Sequence, residues 1–415
     1  MQVCVVGAGI IGASVALDLA RDGHKVTLLD RDGVAAGASK GNAGAFAFAD
    51  VIPLATPGIM KKAPKWLLDP LGPLSVPPAY ALKIAPWLIR YWRASWRDRY
   101  AAALKAQSDM MRLSQEALDA LVAEFNLSEL MRPEGQMQLY EGAAAFEASR
   151  KGWDERRKAG VTFEFLTDPA SIAEIQPGID PRFTHAGFTP EWKNVTDPAV
   201  WTHRIAEEAQ RLGARFIRRE VSRIEPTDQG AIVHSADGAE RFDKVVLAAG
   251  AYGNPLLKSL GLKLPLETER GYNTTLPAGA FDLKTHLTFS DHGFVVTKIG
   301  EGVRVGGAVE LGGMRLPPRM ARAEALLTKA KRFLPTLDTK GGTQWMGFRP
   351  SMPDSLPVIG AHPETSSVVF AFGHGHLGLT QSAGTARVVA DLIAGRTPPL
   401  DLTPFRPTRF AGYRA

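Results

Sequence analysis

The stretch that most constrains this chain is its first thirty residues, MQVCVVGAGIIGASVALDLARDGHKVTLLD. Val3, Cys4, Val5 and Val6 form an apolar run of strand length that Gly7-Ala8-Gly9 closes. Ile11, Val15, Leu17 and Leu19 then recur with helical spacing, Gly23 stops the helix, and Val26 to Leu29 make a second strand ending at Asp30. Strand, G-x-G-x-x-G turn, helix, strand and acid, in that order, predict a dinucleotide-binding unit. Gly7 permits the tight turn, Gly9 lets backbone approach a pyrophosphate, and Gly12 lets helix and strand pack closely. The phosphates then meet the unpaired N–H groups and positive dipole of a helix N-terminus. Asp30 is placed to accept from ribose hydroxyls. At this point FAD and NAD remain open.

A chain of 415 residues buries a large core and is expected to split into two domains. It carries no run of about eighteen apolar residues, so no transmembrane helix is expected. The first strand begins at residue 2, which leaves no room for a signal peptide. Cys4 is the single cysteine, inside that strand, so a disulfide, a zinc site, any other metal and thiol catalysis are not expected. A cytoplasmic protein is the expectation, with the inner face of the cell membrane as the alternative place. The net charge of +6 fits surface solubility, an anionic substrate, an anionic membrane or nucleic acid. No nucleic-acid motif accompanies it.

After Asp30 the run Gly37-Ala38-Ser39-Lys40-Gly41-Asn42-Ala43-Gly44 lets a bulky planar ligand lie against backbone, or is a plain flexible loop. Residues 51–100 differ in composition. Eight prolines from Pro53 to Pro86, Pro70 among them, are expected to break up any long element there. Trp66, Trp87, Trp92 and Trp96 stand among Lys61, Lys62, Lys65, Lys83, Arg90, Arg93, Arg97 and Arg99, opposed only by Asp69 and Asp98. That is the composition of a segment docking on a lipid surface or a partner, unless the rings pack on the protein and the charges are merely solvated.

Further on, helices are expected over Ala101 to Phe125, Ala145 to Lys158, Ala199 to Leu212, Met320 to Phe333 and Thr380 to Ile393. Asp168-Pro169 and Asp197-Pro198 are N-cap and first-turn proline pairs. Gln136 to Tyr140 and Val161 to Leu166 fit strands, and Glu220 to Phe242 a small antiparallel layer. Lys244 to Leu247 is a buried strand ending in Ala248-Ala249-Gly250, a second nucleotide-facing edge. From Leu264 to Glu310 the pattern is antiparallel. Gly373-His374-Gly375-His376-Leu377-Gly378 then opens the last helix, gathering backbone N–H groups at one spot suited to a reduced flavin's negative pyrimidine side, or making a simple tight turn.

With these pieces placed, the chain resembles the FAD-dependent amine oxidoreductases of the D-amino-acid oxidase and glycine oxidase family, and within them the small-subunit type of D-amino acid dehydrogenase. The likeness runs nearly end to end on GAGIIG (Gly7–Gly12), GASKGNAG (Gly37–Gly44), VVLAAGAYG (Val245–Gly253), RGY (Arg270–Tyr272), GFRPSMPDSLPVIG (Gly347–Gly360) and GHGHLG (Gly373–Gly378). It implies an α/β (α+β) fold: a discontinuous Rossmann-like FAD-binding domain of residues 1–50, 166–254 and 345–415, with an inserted antiparallel-sheet substrate domain of residues 51–165 and 255–344.

The same resemblance implies non-covalent FAD. The pyrophosphate would rest on Gly9, Ile10, Ile11 and Gly12, the adenosine ribose on Asp30 and the adenine by Val221, and the pyrophosphate and isoalloxazine along Ser39, Asn42, Ala43 and Gly44, with Gly7, Ala8, Arg31, Ala45, Ala249 and Gly250 as further cofactor contacts. Gly373, Gly375, His376, Leu377, Gly378 and Thr380 would serve the pyrimidine edge. Phe348 and Arg349 occupy the place of a flavin-linking cysteine in some relatives, so no such link is expected. Arg349, in G-x-R-P, would hold the substrate carboxylate, because a guanidinium pairs with it through two parallel hydrogen bonds. Tyr272 is the second candidate anchor, since Phe294 stands where glycine oxidase has a carboxylate-binding tyrosine. His376 is a specificity contact, an exposed residue or a structural one.

No catalytic base is legible; His292, His374 and His376 are the nearby candidates. The expected activity is oxidative deamination of D-amino acids by hydride transfer to flavin, giving an imine that water hydrolyses to a 2-oxo acid, with electrons passed to quinone or a protein acceptor. A narrower version takes D-proline or hydroxy-D-proline. Oxygen-dependent oxidation of glycine or sarcosine, a tRNA-modifying flavoprotein and a subunit inactive by itself are the rivals. Nucleic acid is not expected as a partner, and the oligomeric state is not legible.

Overall fold

The computed structural model describes residues 1–68, 72–410 and 412–414, with residues 62, 64, 65 and 68 as backbone. Asp69, Pro70 and the side chains of Lys62 and Lys65, invoked in the docking segment, lie outside the described residues.

The N-terminal unit forms as expected: strand Gln2–Val6, helix Ile10–Arg21, strand Lys25–Asp30. Around it a six-stranded sheet runs in the order Arg215–Arg218, Lys25–Asp30, Gln2–Val6, Lys244–Leu247, Thr365–Phe372 and Val358–His362. The first five strands are parallel and the last is antiparallel. Val3–Val6 pair in register with Lys244–Leu247, so the two small-residue turns that follow these strands emerge side by side. This is the switch point at which doubly wound sheets bind ligands.

Helix Ile10–Arg21 packs one face of that sheet with helices Pro198–Arg211 and Gly378–Ala394, burying Val15, Leu19, Trp201, Ile205, Val388 and Val389 in one core. Asp197 caps its helix by accepting from Ala199 N and Val200 N, and Asp168 accepts from Ser171 N at the start of Pro169–Ile175. The long helix Arg97–Glu124 lies against Gly378–Ala394 so closely that a Cβ on Gly384 would fall 2.4 Å from Ser114 Oγ. The other face carries the antiparallel layer Val221–Thr227, Gly230–Ser235 and Gly238–Phe242.

A nine-stranded sheet forms the second layer. Its main path is Thr343–Ser351, Glu267–Leu276, Gly302–Glu310, Phe294–Ile299, His286–Phe289, Gln136–Glu141, Phe183–Thr189 and Glu164–Leu166; Leu74–Ser75 pairs beside Gly302–Glu310. Side chains alternate along these strands. Met137, Leu139, Leu287, Phe289, Val296, Val303 and Val305 face helix Ala321–Phe333 in one apolar core. Gln136, Gln138, His286, Thr288, Val295 and Arg304 face the other way, toward the nucleotide side.

Several sequence boundaries move. Strand Phe183–Thr189 was not legible, and it joins Glu164–Leu166 in the large sheet instead of the nucleotide layer. Thr343–Ser351 also belongs there, because all of it pairs with Glu267–Thr275. Helix Arg97–Glu124 instead packs on the nucleotide layer, since its apolar stripe of Met110, Leu113 and Leu121 completes that core. The prolines of residues 51–100 do not prevent helices: Ile59–Leu68 and Pro78–Ala94 form there. Pro78 occupies a first turn, where no N–H is needed, and Pro86 sits inside the second helix.

Candidate active site

The first glycine turn is built for close approach. Gly7 has φ +109°, and a Cβ there would fall 2.5 Å from Ala248 O, on the neighbouring strand end. A Cβ on Gly12 would fall 1.7 Å from Gly7 O, so the helix can start this close to the turn only with glycine. Helix Ile10–Arg21 has no capping side chain of its own at Gly9. Ser39, from the small-residue loop, supplies one: its Oγ accepts from Ile10 N at 2.9 Å. Asp30 braces the same turn, with Oδ2 accepting from Ala8 N at 2.8 Å and Oδ1 from Asp32 N and Gly33 N at 2.8 and 3.0 Å. A carboxylate has lone pairs left for a ribose hydroxyl.

The second turn faces it. Gly373 and Gly375 have φ +85° and +58°, in the left-handed region. Helix Gly378–Ala394 likewise starts without a side-chain cap. Thr380 Oγ1 accepts from Ala47 N at 3.0 Å and donates to Ala45 O at 3.3 Å, tying this helix to the loop that caps the first one.

Between the turns lies a cavity of about 1040 Å³. Of the cofactor residues named from the sequence, Gly7, Gly9, Ile10, Ile11, Asp30, Arg31, Ser39, Asn42, Ala43, Ala45, Val221, Ala249, Gly250, Gly375, His376 and Gly378 line it. Ala8, Gly12, Gly44, Gly373, Leu377 and Thr380 do not line it; they shape the backbone behind it. At the Val221 end, Arg31 stacks 4.0 Å over the Tyr252 ring. Buried Asn273 Oδ1, His286 Nδ1 and His374 Nδ1, all on cavity-lining residues, have no hydrogen-bond partner. Two facing helix starts without a cap from their own N-cap residues, a cavity of this size and these orphan atoms fit a long dinucleotide with a polar planar ring.

The large sheet closes the cavity. Antiparallel pairing sets Glu269 opposite Arg349, Gly271 opposite Gly347 and Asn273 opposite Trp345, so these six share a face. Asn273 Nδ2 donates to Gly41 O at 2.7 Å and Arg304 Nη1 to Asn42 O at 2.6 Å, which clamps the Gly37–Gly44 loop to the sheet. A Cβ on Gly41 would run into the Trp345 ring at 2.3 Å. Arg349 donates from Nη1 to Ala308 O at 3.1 Å and has no carboxylate in ion-pair contact among the described residues. Burial lowers its pKa, opposed by the charge of Glu269. His376 is exposed, and its exposed side lines the cavity; desolvation there lowers its pKa, Asp50 and Glu269 pull it up, and Arg349 adds to the lowering.

Two candidate anchors are corrected. Tyr272 borders the cavity, but its Oη donates its one hydrogen to Glu310 Oε1 at 3.1 Å and accepts from Arg319 N at 3.1 Å, on the opposite sheet face from Arg349. Its hydroxyl has no donor left for a substrate carboxylate. Phe294 borders the cavity beside Val295, but its ring stacks on Phe289 and Phe333 in the apolar core. Among the histidines, His292 pairs with Glu141 at 2.8 Å. His374 is held by Thr385 Oγ1 at 3.0 Å, and burial takes its pKa down to about 3, so it is neutral.

The sequence reading missed Glu269, Asn273, His286, Arg304 and Trp345. A signal existed in the polar residues at alternate positions of strands buried on both faces, where water cannot account for them.

The family model described as FAD dependent oxidoreductase (DAO) matches residues 2–392. The chain is 36% identical over 420 residues to the D-amino-acid oxidase of Bradyrhizobium diazoefficiens, spanning 99% of each. It is 32% identical over 421 residues to the D-amino acid dehydrogenase of Rhizobium johnstonii, spanning 99% of this chain and 100% of that one. Among solved structures, glycine oxidase from Geobacillus kaustophilus shares the fold at TM-score 0.78 and 23% identity, over 99% of this chain and 100% of that one. L-proline dehydrogenase from P. horikoshii does so at TM-score 0.76 and 20% identity, over 99% and 97%. A family match across both sheets, with relatives of this identity along the full length, means that the chain belongs to the DAO family of FAD-dependent oxidoreductases.

Proposed function

We propose that this enzyme oxidises the Cα–N bond of a D-amino acid and passes the electrons to a quinone or another acceptor. The observation that carries the reading is Arg349, a guanidinium held in the cavity by Ala308 O with no acid in ion-pair contact among the described residues. A half-buried planar cation facing a cavity calls for an anion, and the α-carboxylate supplies one with matching two-point geometry. The names of the relatives supply the D configuration.

In this reading FAD binds non-covalently, its pyrophosphate at Gly9–Gly12, its adenosine near Asp30 and Val221, and its ring beside Gly41–Gly44. When bound, the flavin accepts the substrate's α-hydrogen as hydride. The chain's own part is orientation. Arg349 fixes the carboxylate, and the Asn273 and Arg304 clamps fix the ring-side loop relative to Arg349. His376 faces the same cavity, and desolvation there disfavours its charged form. The imine product then hydrolyses in water.

Helix Pro78–Ala94 supports delivery of electrons to a membrane quinone. It buries Ile84 and Trp87, yet Leu82 is 91% exposed and Ile89 and Trp92 point outward beside Lys83 and Arg90. An apolar outer face flanked by cations suits an anionic lipid surface. Among the described residues no helix is long and apolar enough to cross a membrane. Co-flotation with anionic vesicles, lost in Leu82→Asp/Ile89→Asp, tests this surface.

Anaerobic mixing of the holoenzyme with a panel of D- and L-amino acids, glycine, D-proline and hydroxy-D-proline tests the activity. Bleaching of the flavin by D-amino acids is the expected result. Bleaching by none of the panel, or only by L-enantiomers, overturns it.

A further inference from the structure

Glu269 sits directly across the strand pair from Arg349, on the same sheet face. Directly opposed residues bring their Cβ atoms to about 5 Å. Glu269 is 7% exposed and lines the cavity. Among the described residues no group donates a hydrogen bond to its carboxylate, and no cation stands within the 4.0 Å of an ion pair. The charged and titratable neighbours that feel it are Arg349, His376 and the Tyr91 hydroxyl. An enclosed carboxylate without a donor is costly unless a ligand completes it. Gly271, the next residue on this face, leaves room for the Arg349 guanidinium, so anion and cation open side by side into one space.

We propose that Glu269 and Arg349 together read the two ends of an α-amino-acid zwitterion, Arg349 taking the carboxylate and Glu269 the ammonium. The proposal rests on the amino-acid reading above and adds a specificity residue to it. A ligand with only a carboxylate is attracted by Arg349 and repelled by Glu269. A zwitterion is attracted by both. The 2-oxo acid formed when the imine hydrolyses has lost the cation, so the same pair that holds substrate disfavours its rebinding. Repulsive contact with the wrong ligand is a general route to discrimination.

The test uses holoenzyme of wild type, Glu269→Gln and Glu269→Asp. Apparent Kd for D-alanine is read from anaerobic flavin bleaching, and Kd for pyruvate from the flavin spectral shift. In Glu269→Gln the D-alanine Kd is expected to rise about tenfold or more, while the pyruvate Kd stays level or falls. Glu269→Asp, which keeps the charge, is expected to retain the preference for D-alanine over pyruvate. If wild type is bleached but both ligands weaken together in Glu269→Gln, or neither changes, Glu269 only supports Arg349 and the proposal fails. A wild-type flavin that no amino acid bleaches overturns the amino-acid reading, and this pairing with it.

Discussion

Gly271 lies directly beneath the guanidinium of Arg349: a Cβ there would fall 2.3 Å from Nη2 and 2.4 Å from Cζ. The atoms it would strike are the far end of a flexible side chain, so Gly271→Ala is expected to displace the guanidinium and leave the fold intact. Overpacking of this kind costs about 1–3 kcal/mol. The variant should therefore bind flavin normally while substrate affinity drops roughly tenfold. Flavin content and the apparent Kd from anaerobic bleaching separate the two; loss of flavin would show that Gly271 serves the fold instead.

Arg349 itself is the anchor, and its removal should cost more. Arg349→Ala is expected to lose on the order of a hundredfold or more in kcat/KM, because the substrate carboxylate is then buried without its cation. Arg349→Lys should recover only part of this, since an ammonium cannot pair through two parallel bonds. Steady-state kinetics on both variants decide it. Near-normal turnover by Arg349→Ala would remove the anchor.

The glycine motifs and Arg349 were legible because chemistry confines them to a few residue types. Gly7 and Gly12 tolerate no Cβ, and that requirement is local, so the first thirty residues announce it. Glu269 was not legible, because its meaning depends on a strand 80 residues later setting Arg349 opposite it. Tyr272 failed for the same reason. Adjacency to a cavity residue in sequence puts a strand side chain on the opposite face, where Glu310 takes its hydroxyl. Strand Phe183–Thr189 was hidden because its Gly187 weakens the strand signal, yet glycine is needed there: a Cβ would fall 2.1 Å from the Trp153 ring.

Ser39 links the small-residue loop to the first helix through Ile10 N, and no side chain of the helix itself can take its place. Loss of a helix cap costs about 0.5–2 kcal/mol. Ser39→Ala should thus lower the apoprotein's thermal midpoint by a few degrees, and it should weaken FAD binding because the loop no longer has its register on the turn. Thermal melts with and without added FAD measure both effects. An unchanged apoprotein midpoint with unchanged FAD affinity would show the contact to be incidental.

Acid stability offers a test that does not depend on substrate. Burial takes the pKa of His286 and of His374 down to about 3, against 6.5 for a free imidazole. Between these values the unfolded chain binds a proton at each histidine and the native chain does not. Stability is therefore fully present above pH 6.5 and is lost as pH falls toward 3, by about 1.4 kcal/mol per pH unit for each group. Asp18 works in the opposite sense. Burial raises its pKa from 3.8 to about 6, with Arg21 opposing, so there the native state binds the proton first and stability rises as pH falls from 6 to 3.8. Denaturant unfolding at steps between pH 6.5 and 5 keeps clear of ordinary carboxylates. In that window His286→Gln should flatten the acid loss relative to wild type, and Asp18→Asn should steepen it. Equal slopes in all three proteins would mean that these groups are hydrated in the native state and that the sheet face beside the flavin is open to water.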